Sequence, residues 1–185
     1  TKVAFNPGTS FKLAKGAANI GKYPEMLDAG VTVSLGCDGN SAAGSADMFK
    51  QMYITAGLFK DARMDPELVP ARKAVRMATI DGARSLLWDD EIGSVEVGKR
   101  ADLIMLDLDE LEWTPFHRPV QTLVYSANSH NVHHSVIDGD IVMKDREVTT
   151  MDEEKVKEQA RKHAVRTAEK SGLSDEVPTK TTLYD

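Results

Sequence analysis

The amino-acid sequence predicts an α/β unit followed by a small β-rich domain and a terminal helix. Strand-like and helix-like patterns alternate through residues 1–88, which is typical of α/β architecture. Beyond Glu91 the pattern changes to short strands, and the pair Asp138-Gly139 lies between two apolar runs. This pair is a strong hairpin signal because both turn positions need positive φ. A helical apolar spacing then precedes Gly172.

These changes of pattern predict three units. Residues 1–88 form the end of the α/β unit, with a boundary near Trp88. Residues 89–150 form the small β-rich part. Residues 151–185 form a terminal helix, ended by Gly172, and a loose tail.

The first unit contains two predicted strands. Residues 3–6 form a short strand, and a loop rich in Gly, Ser, Thr and Pro follows through Gly16. Residues 24–29 form a short helix that ends at Gly30. Residues 31–36 are β-branched and apolar, which is typical of a buried parallel strand.

Two further helices follow the second strand. After a loop of small residues at 37–44, Ser45 is predicted to cap a helix that runs to about Arg63. Pro70 is placed in the first turn of the next helix. The apolar residues on one face of the first helix are predicted to lie in the core: Phe49, Met52, Tyr53 and Ala56.

The β-rich part contains a predicted strand at 101–107 and a hairpin at 132–144. Thr150 and Glu153 form a predicted capping box ahead of the terminal helix. The stripe of that helix consists of Val156, Ala160 and Ala164. Three residues are predicted to be structural: Gly93, Gly98 and Asp102.

Composition excludes several function classes. The chain has 185 residues, 41% hydrophobic and 28% charged, and a formal net charge of −6. This charge argues against a nucleic-acid partner, which would need a basic face, and leaves a small molecule as the expected substrate. The apolar runs are too short for a transmembrane helix, so no membrane partner is expected. A single cysteine, Cys37, fits a reducing cytoplasm.

The first residues read directly as a strand, since no initiator methionine, signal peptide or helix precedes Thr1. A cut inside a folded domain would have this appearance. We therefore expect the amino-terminal half of the protein to be missing from the sequence. We also expect residues 1–185 not to form a self-sufficient domain.

Several stretches resemble the amidohydrolase superfamily. They are residues 29–39, 45–49, 78–84 and 92–104, trailed by the hairpin residues 136–139. The most similar branch contains the methylthioadenosine/S-adenosylhomocysteine deaminases, the guanine and 8-oxoguanine deaminases, and the triazine hydrolases such as atrazine chlorohydrolase. The resemblance implies that the chain is the carboxy-terminal portion of such a protein.

The resemblance also implies the architecture. The fold would be the carboxy-terminal part of a distorted (β/α)8 TIM barrel, its last two strands and helices, together with part of a small β-sandwich. Residues 3–6 would be the seventh barrel strand and residues 31–36 the eighth. Barrel enzymes place their chemistry at the carboxyl ends of the strands. A homo-oligomer is implied as well.

Asp38 is the candidate metal-binding and catalytic residue. Its position after a predicted parallel strand allows a plainer interpretation, in which a buried carboxylate caps a helix or accepts from loop amides. In the family that the stretch around Asp38 resembles, the aspartate at this position binds the metal and exchanges a proton with the metal-bound water. The implied cofactor is one divalent metal ion, zinc or alternatively iron.

The family's remaining ligands, a His-x-His pair and a further histidine, have no counterpart here and are expected upstream of Thr1, as is its catalytic glutamate. Asn6 and Ser10 are candidates for contacting substrate, with loop packing as the favoured alternative. Relatives often have His-Cys-Pro where this chain has Phe5-Asn6-Pro7. The adjacent histidines His133 and His134 are predicted to point to opposite faces and to remain solvent-exposed rather than bind metal.

The implied function is hydrolysis of non-peptide carbon–nitrogen bonds. The reaction would be deamination, or dechlorination, of a heteroaromatic ring such as a purine or triazine, with Asp38 moving the proton. Two alternatives stay open: a cyclic-amide hydrolase of the same superfamily, and a non-catalytic module descended from it. The 185 residues alone are expected to be inactive, since they hold one of about four metal ligands.

Overall fold

The computed structural model describes residues 1–173. The strands and helices follow in this order: β1 (Lys2–Phe5), α1 (Pro7–Lys12), α2 (Tyr23–Asp28), β2 (Thr32–Leu35), α3 (Asn40–Ala43), α4 (Met48–Arg63), α5 (Ala71–Ala78), α6 (Ile80–Leu86), β3 (Leu103–Leu106), α7 (Pro119–Tyr125), β4 (Val132–Ile137), β5 (Asp140–Lys144), β6 (Glu147–Val148) and α8 (Glu153–Ser171). Short 3₁₀ turns lie at Leu111–Trp113 and Ser129–Asn131. Within residues 1–173, no helix is both long and apolar enough to cross a membrane.

β1 and β2 form a two-stranded parallel sheet, as the sequence predicts. Phe5 lies opposite Leu35, and the Gly36 amide extends the pairing by donating to the Phe5 carbonyl at 2.9 Å. A parallel pair needs a long crossover, and the segment containing α1 and α2 supplies it. Because both strands run in one direction, the residues after Phe5 and after Leu35 lie side by side.

The sheet packs against α4, α5 and α6. Phe5 and Phe59 are almost fully buried there, and the Phe5 ring stacks on Tyr23 with ring centroids 4.0 Å apart. The buried residues of this first core are Phe5, Ala17, Val33, Phe59, Val69 and Met77. This core fixes the strand ends on which the candidate site is built.

The second sheet is antiparallel, with strand order β3-β4-β5-β6. The predicted hairpin turn is confirmed, since Asp138 has φ 52° and Gly139 has φ 86°. Asp102 has the predicted structural role, because its Oδ1 accepts from the Asp138 amide at 2.7 Å. That bond ties the turn to the residue that precedes β3.

A second core joins segments on both sides of the predicted boundary. α7 packs on α4 and α5, and Trp113 and Val124 are buried against those helices. The buried residues of this second core are Phe49, Met52, Ala56, Ala71, Ala74, Trp113, Val124 and Ala127. The division near Trp88 therefore stays a prediction, while residues 111–127 pack with the helices that precede it.

Three local predictions were wrong. The stretch predicted as a loop after β1 contains α1, because Pro7 starts a helix whose first residues are buried in the core. Asp47, not Ser45, caps α4, and its Oδ1 accepts from the Phe49 amide at 2.8 Å. Asp152 replaces the predicted capping box of α8, accepting from the Lys155 amide at 3.0 Å. In both helices an aspartate carboxylate at the N-cap position accepts from the free backbone amides of the first turn.

Two predicted faces also differ from the structure. Tyr53 is 55% exposed, although the rest of its predicted face on α4 is buried. The stripe Val156, Ala160 and Ala164 on α8 is exposed, and only Ala168 of that helix is buried among residues 1–173. Gly172 ends α8 with φ 71°, as predicted, and the predicted loose tail lies outside the described residues from 174 onward.

Candidate functional site

A cavity of about 220 Å³ lies at the carboxyl ends of β1 and β2. Asn6, Ser10 and Asp38 all line it, so the structure brings the three predicted site residues together. Thr9 and Lys15 line it as well. The grouping follows from the parallel pairing, because Asn6 follows β1 and Asp38 follows β2 by three residues.

Asp38 is exposed, so the buried carboxylate of the plainer interpretation is not observed. The residue has φ 59°, a left-handed backbone conformation, and the small residues that follow it offer no cover. Its Oδ1 accepts from the Gly39 amide at 2.6 Å. No other hydrogen bond joins this carboxylate to residues 1–173, which leaves Oδ2 available to a ligand.

Asn6 is held against the second strand. A side chain at Gly36 would collide with Asn6 Oδ1, so the absence of a Cβ at Gly36 makes room for the amide. The Asn6 carbonyl accepts from the Ser10 amide at 3.1 Å and begins the turn into α1. The side-chain amide of Asn6 therefore lies against Gly36, at the junction of the two strands.

The neighbouring hydroxyls of Ser10 and Thr9 have different hydrogen-bonding environments. The Ser10 hydroxyl accepts from the Ala17 amide at 3.3 Å, which is the loop-packing role that the sequence favoured. Thr9 is 2% exposed, and its Oγ1 has no partner among residues 1–173. A buried hydroxyl without a partner is costly, so it is available to a bound molecule. Thr9 was not among the residues predicted from the sequence, although its hydroxyl directly precedes that of Ser10.

Cys37 precedes Asp38 but does not take part in the cavity. Its Sγ lies 3.3 Å from the Met48 sulfur. Partial burial, together with the negative charge of Asp47, raises the pKa of the Cys37 thiol. The thiol is thus protonated and unreactive near neutral pH.

Gln51 holds the first turn of α1 in place. Its side chain is fully buried in α4, and its Oε1 accepts from the Gly8 amide at 2.8 Å. A Cβ at Gly8 would lie 2.9 Å from both Gln51 Oε1 and Nε2. The close approach of the two helices therefore depends on a glycine at this position.

Gly8→Ala is expected to destabilise the protein by about 1–3 kcal/mol, because overpacking displaces a buried side chain. Gly57→Ala is the matched control, since a Cβ at Gly57 in α4 meets nothing within 4 Å. That change should stabilise by about 0.5–1 kcal/mol through helix propensity. Denaturant unfolding measures both, and equal effects of the two changes would contradict the close packing of Gly8 on Gln51.

The metal-binding capacity of the site rests on Asp38 alone. A carboxylate oxygen suits zinc or iron, but such a site needs about four ligands. Among the described residues, Asp38 belongs to no group of three possible ligand side chains. Residues 1–173 therefore supply one fitting donor at this cavity, and a metal site there would need further donors from outside them.

The single group of three within the described residues is His133, His134 and Asp145. The two histidines lie in β4 and their ring centroids are 4.6 Å apart. The prediction that they point to opposite faces was therefore wrong. The register of β4 on β3 explains it: Leu106 pairs with Val132 and Met105 with His134, which leaves His133 as the extra residue of a bulge.

Comparisons of the sequence with known proteins identify similar proteins in one family. The sequence model of the Amidohydrolase family matches residues 1–142. The chain is 41% identical over 160 residues to a 5-methylthioadenosine/S-adenosylhomocysteine deaminase of Thermoanaerobacter pseudethanolicus, covering 86% of the chain and 36% of that relative. It is 41% identical over 172 residues to the enzyme of the same name from Haloarcula marismortui, covering 93% of the chain and 39% of that relative.

Solved structures agree. A zinc-bound adenosine deaminase from Xanthomonas campestris superposes with a TM-score of 0.84 at 34% identity, covering 90% of this chain and 38% of that one. The zinc complex of atrazine chlorohydrolase from Arthrobacter aurescens gives 0.77 at 26% identity, covering 85% and 34%. The chain thus spans little more than a third of the proteins that it matches.

Proposed function

We propose that this chain, which belongs to the amidohydrolase family, forms part of a metal-dependent hydrolase that deaminates a heteroaromatic ring. The observation that carries the proposal is the position of Asp38, at the carboxyl end of a parallel strand and on one cavity with Asn6 and Ser10. The names of the similar proteins, deaminases of adenosine derivatives, support a purine-like substrate.

In this proposal β1 and β2 are the seventh and eighth strands of a (β/α)8 barrel. Their parallel pairing and the helices α4 to α6 packed against them support the assignment. A barrel places its active site at the carboxyl ends of its strands. The cavity beside Asp38 lies at that end.

Asp38 is the proposed metal ligand and proton carrier. Zinc is the proposed metal, with iron as the alternative, and the zinc named with two similar structures supports this choice. When bound, such an ion lowers the pKa of a coordinated water to about 7. The Asp38 carboxylate has one oxygen engaged by the Gly39 amide, so its other oxygen is available for metal and proton.

The proposed reaction uses one water to cleave the bond between a ring carbon and its exocyclic amino group. A carbon–oxygen bond forms, the carbon–nitrogen bond breaks, and the amino group leaves as ammonia. Asp38 takes the proton of the attacking water and returns it to the departing nitrogen, so it ends the cycle unchanged. Asn6 and Ser10 are proposed substrate contacts, and the unpartnered Thr9 hydroxyl supports a polar contact on the same wall.

A substrate panel tests the proposed function. Protein that contains residues 1–185 together with the rest of the family's length should release ammonia from at least one aminated purine, pterin or triazine. Chloride release from a chlorotriazine would assign dechlorination instead. Turnover confined to hydantoins, dihydropyrimidines or lactones would move the protein to the cyclic-amide hydrolases. Binding without turnover of any compound would indicate a non-catalytic module.

A further inference from the structure

We propose that His133, His134 and Asp145 form a binding site for a divalent transition-metal ion such as Zn²⁺. The site belongs to the antiparallel sheet and does not depend on the proposed function of Asp38. Nitrogen atoms of two imidazoles and one carboxylate oxygen lie within 4.8 Å of one another. Imidazole suits zinc, copper and nickel, and a carboxylate completes a common three-ligand set.

The bulge in β4 creates the pair of imidazoles. In a regular strand, adjacent side chains point to opposite faces, and two neighbouring histidines could not bind one ion. In β4 His134 pairs with Met105 and Val132 pairs with Leu106, so His133 is the extra residue of a bulge, which re-aims its side chain. The two rings consequently meet edge to face on one side of the sheet.

The turn between β5 and β6 brings the carboxylate to the pair. Asp145 and Arg146 have φ 51° and 68°, the two left-handed residues of a tight hairpin turn. The Arg146 amide donates to the His133 carbonyl at 2.9 Å, which anchors the turn to the bulge. Asp145 Oδ1 then lies 3.7 Å from His133 Nε2 and 3.8 Å from His134 Nε2.

These distances are close to those of a metal shell. Ligand atoms about 2.1 Å from a tetrahedral zinc ion lie about 3.4 Å from one another. The two nitrogen–oxygen distances exceed that value by only a few tenths of an ångström. The Asp145 side chain is 62% exposed, so it can turn toward the ion and the ion can enter from solvent.

The surroundings oppose binding only weakly. Both chain neighbours of Asp145, Lys144 and Arg146, are cationic, and the Arg146 guanidinium is engaged with His130 Nδ1 at 2.6 Å. His134 Nδ1 accepts from the Asp145 amide at 3.2 Å. This long hydrogen bond is lost when the ring proton moves from Nε2 to Nδ1, the tautomer in which Nε2 can bind a metal. Three protein ligands leave a fourth position for water.

Equilibrium dialysis of the untagged protein against Zn²⁺ tests the site, because it counts bound metal per chain in any oligomeric state. Wild type should bind one ion that is retained in Asp38→Asn. His133→Ala, His134→Ala and Asp145→Asn should each weaken its binding by more than about a hundredfold, since even the loss of a residue that only hydrogen-bonds a ligand costs about 10–100-fold. Asp145→Asn is the informative variant, because asparagine tolerates the left-handed conformation of the turn.

His117→Ala and His163→Ala are the matched controls, since both residues are exposed and lie outside the cluster. They should leave the dissociation constant unchanged. Replacement of Zn²⁺ by Co²⁺ should give visible absorption bands that Asp145→Asn abolishes. The proposal is overturned if wild type binds no ion beyond the one lost in Asp38→Asn, or if Asp145→Asn and His134→Ala bind as tightly as wild type.

Discussion

Asp38→Asn is expected to lower the turnover of the enzyme that contains this chain by at least about a hundredfold, the scale of lost acid–base catalysis. An amide cannot carry the proton between the water and the departing nitrogen, and it is a poorer ligand for a divalent ion. Folding should be largely unaffected. Asp38 is exposed, and asparagine accepts its positive φ without added strain.

Steady-state ammonia release, together with the metal content of the purified protein, measures this effect. Asp152→Asn is the control, because it makes the same chemical change at the N-cap of α8, where asparagine caps as well as aspartate. Its turnover should equal that of wild type. If Asp38→Asn retained activity within a factor of a few, Asp38 would have no part in the mechanism.

A polypeptide of residues 1–185 alone is expected to elute well above its mass of 20.3 kDa in size-exclusion chromatography. The physical reason lies in the sheet edges. β1 and β2 pair only with each other among residues 1–173, so each has one edge without a strand partner. Parallel sheets are stable when both faces are covered and their edges paired, and open edges invite association.

Exposed apolar surface adds to this tendency. Large apolar side chains that are more than half exposed occur on both halves of the described chain: Phe11, Ile20, Tyr53, Met64, Leu86, Leu87, Trp88, Val95, Val97, Ile104, Met105, Leu111, Phe116, Ile137, Ile141 and Met151. Exposed apolar surface promotes association when such side chains lie together in patches. A longer protein that contains residues 1–185 and has the full length of its relatives should instead elute as a single peak of defined mass. A monodisperse monomer of residues 1–185 alone, with a sharp thermal transition, would show that these residues are complete as a folding unit.

The sequence by itself determined the features that depend on local chemistry. Residues 31–36 were identified as a parallel strand because the stretch is β-branched at its start and rich in apolar residues, which suits burial on both faces. Gly30, Gly172 and the Asp138-Gly139 turn were identified because their conformations require positive φ. The position of Asp38 after the strand followed from the same stretch, and the family followed from it together with residues 45–49, 78–84, 92–104 and 136–139.

Only the tertiary structure decided features that depend on contacts between distant segments. The cap of α4 moved from Ser45 to Asp47 because geometry, not residue preference, selects which side chain reaches the free amides. The partnerless hydroxyl of Thr9 is recognisable only once its buried surroundings are known. The convergence of His133 and His134 required the pairing of β4 with β3, since a bulge arises from strand register and leaves no mark in the spacing of residues.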